Sequence, residues 1–150
     1  MAKADYEKYL VKKPVYEVVA NVVTRNRQHP SMTLMSRQLV PECNAYVEGG
    51  WIWGMPDPNP SIFEHTHEYD EIVLHIGIDP DHPEELGAEI EFYIGGQPLT
   101  INKTSAVFVP KGVKHGPLVW KKVDKPHLEM AIMLGGGTLA EADPGGHRKK

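Results

Sequence analysis

From residue 31 to residue 134 the apolar residues recur mainly at every second position, the period of a strand with one buried face. The stretch from Glu89 to Tyr93 is clearest: Ile90, Phe92 and Ile94 are apolar, and Glu89 and Glu91 between them are polar. His127 to Leu134 reads as a last long strand, with Leu128, Met130, Ile132 and Leu134 on one face and His127 and Glu129 on the other. The pattern leaves open which of these faces looks inward. In the stretch from Asn44 to Gly54, Ala45, Val47, Trp51 and Trp53 share one parity, and Tyr46 and Glu48 take the other. If the first set faces inward, Trp51 and Trp53, followed by Met55, form an aromatic wall suited to substrate binding. Residues 31–39, 71–76, 98–102, 106–109 and 117–120 read as further strands, and Gly95-Gly96 as a hairpin turn. Three prolines between Met55 and Pro60 predict a rigid loop at a pocket rim. Residues 4–13 suit a short helix, with Asp5 as N-cap and Pro14 as stop. Val15 to Val23 is β-branched and reads as extended. The expectation is an all-β fold with a short N-terminal helix. Residues 1–43 form the helix and extension strands, 44–134 the main β unit, and 135–150 a tail that is peripheral or an arm against another subunit.

The chain has 150 residues, which suits one domain with a real core. Its 14 glycines and 13 prolines fit many turns between short strands. The formal net charge of -4 offers no basic excess to track a phosphate backbone, so no nucleic-acid partner is expected. The single cysteine, Cys43, has no internal disulfide partner, which favours a reducing compartment. Met1 to Asp5 is charged, without an apolar h-region, and no apolar run reaches membrane-spanning length. The expectation is a cytoplasmic protein without a membrane partner.

Candidate chemistry gathers in His65-Thr66-His67-Glu68-Tyr69-Asp70-Glu71. In an extended chain residues i and i+2 share a face, so His65 and His67 aim at one point. A turn after His67 lets Glu71 reach it. Two imidazoles and a carboxylate suit borderline divalent metals: Fe2+, Mn2+, Zn2+ or Ni2+. Downstream, the Pro110-Lys111-Gly112 turn holds His115 on a rigid corner as a fourth ligand. His75 shares a strand face with Glu71 and Val73. It reads either as a hydrogen-bonded core histidine or as a catalytic, proton-carrying group. Arg25, Arg27 and Arg37 read either as surface residues or as a clamp for a carboxylate or phosphate. Lys111 and Lys114 read as turn residues or as an attraction for an anion. The acidic stretch from Asp79 to Glu85 lacks EF-hand spacing and reads as a solvated loop.

At these residues the chain resembles the cupin superfamily. Its first motif, His-x-His, then Glu, then Gly, is matched by His65, His67, Glu71 and Gly77; its second, Pro-x-Gly-x-x-His, by Pro110, Gly112 and His115. The glycines that usually lead the motifs are Asn59 and Thr104 here, and the later asparagine is Val119; none of these is a ligand. The resemblance covers roughly Trp51 to Leu134. It implies an antiparallel β-barrel or jelly roll with one metal held by His65, His67, Glu71 and His115. It further implies a metal-dependent enzyme acting on a small oxygenated metabolite that chelates the metal. The reaction is that of a dioxygenase, or of an isomerase, decarboxylase or lyase in which the metal stabilises an enolate. The alternative is a metal- or ligand-binding module without turnover. A homodimer is expected, since exposed edge strands invite pairing.

Overall fold

The structure, a computed structural model, describes residues 3–18 and 23–142. Ten strands follow in order: β1 Val15–Val18, β2 Arg25–Arg27, β3 Ser31–Met35, β4 Ala45–Asp57, β5 Asp70–Gly77, β6 Glu85–Ile94, β7 Gln97–Lys103, β8 Ser105–Val109, β9 His115–Val123 and β10 His127–Leu134. A single helical turn, α1, spans Leu139–Ala142. One sheet runs β1-β3-β4-β10-β5-β8, with β2 also paired to β4; the other runs β7-β6-β9. Every ladder is antiparallel. The sheets face each other across Ile52, Val73, Val109 from the first and Leu86, Ile90, Phe92, Leu118, Trp120 from the second. This is the all-β jelly roll that the alternation and the motifs predict. No helix among the described residues is long and apolar enough to cross a membrane.

The last strand turns its polar face inward. In register, Glu129 of β10 lies between Gly50 of β4 and His75 of β5, and Met133 lies between Tyr46 and Glu71. His127, Glu129 and Met133 are buried.

Four expectations need correction. First, β4 has the opposite parity: Tyr46 and Ile52 are fully buried, while Trp51, Trp53 and Met55 are 41, 53 and 41% exposed. The outer face of this sheet is itself apolar, so alternation in β4 carries no information about which side is inside. Second, Met55 to Asp57 continues β4. These residues lie beyond the end of β10, whose His127 pairs with Ile52, and meet only the short β2, with Arg25 opposite Asp57. A proline is tolerated at such an edge because no ladder bond is demanded of it. Third, the helix over 4–13 shrinks to one 3-10 turn, Glu7–Tyr9, closed by Asp5 Oδ1 accepting from the Glu7 N–H at 3.0 Å. Tyr6 and Leu10 stay exposed, so nothing packs to sustain a longer helix. Fourth, residues 135–142 are not peripheral. Leu139 and Ala142 pack with Val18, Tyr46, Tyr69 and Met133, and the Tyr69 hydroxyl donates to the Ala142 carbonyl. The expected extension through residues 19–22 and the tail over 143–150 lie outside the described residues.

Two of the three departures from the motif pattern carry structure. The Asn59 amide donates to the Trp120 carbonyl at 2.7 Å and accepts from the Trp120 N–H at 3.0 Å, imitating a strand neighbour. Thr104 Oγ1 accepts from the Gly77 N–H at 2.9 Å and ends β5. Gly77 itself admits no side chain: a Cβ there would sit 1.9 Å from the Glu85 carbonyl oxygen.

Candidate metal centre

The two histidine-bearing stretches are joined by main chain. His65 N–H donates to the His115 carbonyl, and His115 N–H to the His65 carbonyl, both at 2.9 Å. The Pro110–Gly112 turn is pinned to the first motif as well: the Gly112 N–H donates to the His67 carbonyl at 2.9 Å, and the Lys111 N–H to Asp70 Oδ1 at 2.9 Å. Gly112 adopts φ +79, which glycine allows at little cost. Gly116, next to His115, adopts φ +92, and a Cβ there would meet the Phe63 carbonyl at 2.5 Å. His115 thus starts β9 of one sheet directly opposite Glu71 at the head of β5 in the other.

Each imidazole is oriented by a backbone carbonyl two residues away. Nδ1 of His65 lies 2.7 Å from Phe63 O, that of His67 3.0 Å from Tyr69 O, and that of His115 2.8 Å from Val113 O. A carbonyl only accepts, so each Nδ1 carries the proton and each Nε2 is left for the centre. Tyr69 also stacks on His67, with centroids 4.0 Å apart and planes 6° from parallel. Glu71 Oε2 sits 2.8 Å from His67 Nε2 and 3.1 Å from His115 Nε2. Acceptors so close require a cation among them, either a proton or a metal.

The donor set fits a metal. One ligand atom from each of His65, His67, Glu71 and His115 lies within 4.8 Å of the others. Ligand bonds of about 2.1 Å put ligand atoms roughly 3.0–4.2 Å apart, so a small contraction seats an ion. Three nitrogens and one oxygen match the borderline divalent metals and leave coordination positions open.

The charges follow. Burial pushes the Glu71 carboxyl up, but hydrogen bonds from His115 and His67 outweigh it and hold it at about 2. Burial pushes His115 down, but the Glu71 hydrogen bond and charge lift it above its ordinary value. Burial takes His65 below its ordinary value, as a neutral ligand requires. A proton on His115 Nε2, which faces Glu71, would have to leave for a metal to bind there. Metal affinity is expected to fall as pH is lowered. Calorimetry of metal binding in buffers of different ionisation enthalpy should show proton release that grows as pH is lowered; no release at any pH would contradict this picture. The sign for the metal-free protein is opposite: a raised His115 stabilises below its unfolded pKa, and that contribution is lost as pH rises through its folded value.

A cavity of about 60 Å³ adjoins the centre, bordered by His65, Glu71 and His115 and walled by Ile62, Val73, Phe92 and Leu118. Trp51, Trp53 and Met55 do not border it; they stand on the outer face of β4. Lys111 and Lys114 are exposed. His75 is fully buried on β5, with Nε2 3.1 Å from Glu129 Oε2, four residues along the strand from Glu71. Of the three arginines, Arg25 pairs with Asp57 at the surface and Arg37 with Glu141. Arg27 alone reaches the interior, where Nη2 donates to Glu129 Oε1 at 2.6 Å. Sequence reasoning noted both residues without joining them, because 102 positions separate them. Trp120 Nε1–H donates to His127 Nε2 at 3.0 Å, which fixes His127 with its proton on Nδ1. Asp79, His82 and Glu85 also approach one another, on an exposed loop where His82 Nδ1 lies 3.1 Å from Asp79 Oδ2.

No family model and no curated protein matches the chain in sequence. Solved structures do match. The polyketide cyclase RemF from Streptomyces resistomycificus is 14% identical, over 89% of this chain and 79% of that one, with a TM-score of 0.50. A cupin protein from Bacteroides fragilis is 16% identical over 85% and 89%, with a TM-score of 0.47. The DMSP lyase DddQ from Ruegeria pomeroyi DSS-3 is 20% identical over 61% of this chain, which spans only 39% of the lyase, with a TM-score of 0.39. At such identities the likeness concerns the fold, and that fold is the cupin fold.

Proposed function

We propose that the chain is a metal-dependent enzyme acting on a small oxygenated metabolite that chelates a divalent metal in the barrel. The observation that carries this reading is the convergence of three Nε2 atoms and the Glu71 carboxylate on one end of a cavity between the sheets. A bound metal there supplies Lewis acidity toward a chelated carbonyl or hydroxyl. The chain supplies the rest. Carbonyls fix the three imidazoles, Tyr69 braces His67, and the apolar walls keep bulk water from the reacting end. The reaction is oxidative, as in a dioxygenase, or an enolate-type isomerisation, decarboxylation or elimination. Elemental analysis after anaerobic purification, followed by oxygen-uptake assays with small hydroxy acids, keto acids and diols, separates these. Iron with substrate-dependent uptake supports the first, and stoichiometric manganese, zinc or nickel without uptake supports the second. Protein that takes up no metal overturns the reading.

A binding module without turnover is the second reading. It is favoured by Glu129, whose carboxyl stays far below the ordinary range beside Arg27 and is therefore a weak proton acceptor. Metal-dependent ligand binding with no consumption of any panel compound would select it.

We also propose that two copies pair in a reducing compartment, through the outer face of the larger sheet. Trp51, Leu128 and Ile76 lie side by side there in register, as do Val47, Ile132, Ile72 and Phe108. Soluble monomers seldom leave a patch of this kind open. Light scattering at micromolar concentration is expected to give a dimer mass, and Trp53→Glu with Phe108→Glu a monomer. A monomeric wild-type protein removes the proposal.

A further inference from the structure

The cavity has a second polar end. On β5, Glu71 and His75 share a face four residues apart, roughly 13 Å along the strand. Their register partners on β10 are Met133 and Glu129. Val73 and Ala131 form an apolar waist between the two levels. At the far level stand Glu129 and Arg27, both bordering the same cavity as the metal ligands. Glu129 is bonded on both oxygens, to Arg27 at 2.6 Å and to His75 at 3.1 Å. The Arg27 guanidinium lies over the Trp120 ring, 5.8 Å from its centroid. Its Nη1 is buried and has no hydrogen-bond partner among the described residues. Buried donors normally find an acceptor, so an open one beside a cavity marks a place for a ligand oxygen.

We propose that Arg27 and Glu129 read the non-chelating end of the substrate, and that this end is a neutral hydroxyl or carbonyl rather than a second carboxylate. The inference rests on the reading of His65, His67, Glu71 and His115 as a metal centre, which takes the other end. Charge decides the class. Arg27 and Glu129 already neutralise each other. A hydroxyl accepts from Arg27 Nη1 and donates to a spare lone pair of the Glu129 carboxylate. A carboxylate in that place sets two anions on one guanidinium, away from water, and like charges at that range repel strongly. Size narrows it further. A cavity of about 60 Å³ holds a few waters, at about 10–15 Å³ each, or a metabolite of few heavy atoms.

The test is calorimetric titration of the full chain, metal-loaded and metal-free, with lactate, glycerate and tartronate. These three-carbon acids share a 2-hydroxy-carboxylate head and end in a methyl, a hydroxymethyl and a carboxylate respectively. Glycerate is expected to bind about tenfold tighter than either of the others, the factor one well-made hydrogen bond supplies. Arg27→Lys keeps the charge but lacks the planar fork, and should reduce the preference to within about twofold. If that variant does not fold, the order of the three acids on the wild-type protein decides. Tartronate binding tightest, lactate equalling glycerate, or no acid binding to metal-loaded protein each overturns the inference while the metal centre stands. Protein that takes up no metal removes the proposed function, and the inference that rests on it, even if it still prefers glycerate.

Discussion

His67→Ala and His115→Ala should each fold and each lose the metal. Outer-shell partners of metal ligands are typically worth 10–100-fold in affinity, so removal of a ligand itself should cost at least about 100-fold. His115 holds its place through two main-chain bonds to His65, and these survive truncation to alanine. His67 contributes its ring to the stack on Tyr69, whose hydroxyl is independently anchored on Ala142. The fold therefore has little reason to depend on either imidazole. Metal at 100 times its dissociation constant should stabilise the wild-type protein by about 2.7 kcal/mol, or roughly 5–10 °C in Tm at this chain length. Neither variant should show that shift. Elemental analysis and melting curves with and without metal check both halves. Full metal retention in both variants would sink the assignment.

Glu129→Ala should cost about 3–5 kcal/mol, the range for breaking a buried ion pair by removing one partner. Arg27 and Glu129 have side chains only 15% and 10% exposed, and the carboxylate bonds both Arg27 Nη2 and His75 Nε2. Its loss removes the carboxylate bonded to the largely buried Arg27 guanidinium. Replacing the pair together, as Arg27→Met with Glu129→Met, should recover most of the loss, because the desolvation cost goes with both charges. Denaturant unfolding of the three proteins measures this; a Glu129→Ala cost under 1 kcal/mol would show that the pair is not the internal strut described. Acid supplies a second check. Burial pushes the Glu129 carboxyl up, but the charge of Arg27 and the bond from His75 carry it far below its ordinary 4.5. Its stabilisation is therefore complete above the unfolded pKa and is lost as pH falls below about 4.5. The double methionine protein should lack that part of the acid sensitivity.

Much of this was legible along the chain. The ligand set is a local pattern: residue type and spacing define His65, His67 and Glu71, and the Pro110–Gly112 turn carries His115. The strands of the smaller sheet were legible because one of their faces is wet, so Ile90 and Phe92 stand out against Glu89 and Glu91. β4 misled because both of its faces are apolar. Tyr46 and Ile52 fill the core, while Trp51 and Trp53 cover the outside, and alternation between two apolar faces has no sign. The lost N-terminal helix is the converse case. Asp5 caps the single turn that forms, but the turn ends at Tyr9, well short of Pro14, because Tyr6 and Leu10 meet no surface to bury against and so short a helix is not stable by propensity alone.

By itself, then, the sequence determined the β class and most of the strand segments, and it singled out His65, His67, Glu71 and His115, because alternation, residue type and turn spacing are written in short stretches of chain. Only the tertiary structure decided which face of β4 and β10 lines the cavity, that Leu139 and Ala142 pack with Tyr46 and Met133, and that Arg27 meets Glu129 inside. Those outcomes depend on contacts between segments far apart in the chain, such as Arg37 with Glu141, 104 residues on. Burial and charge pairing at such separations are properties of the packed sheets, with no trace in local spacing.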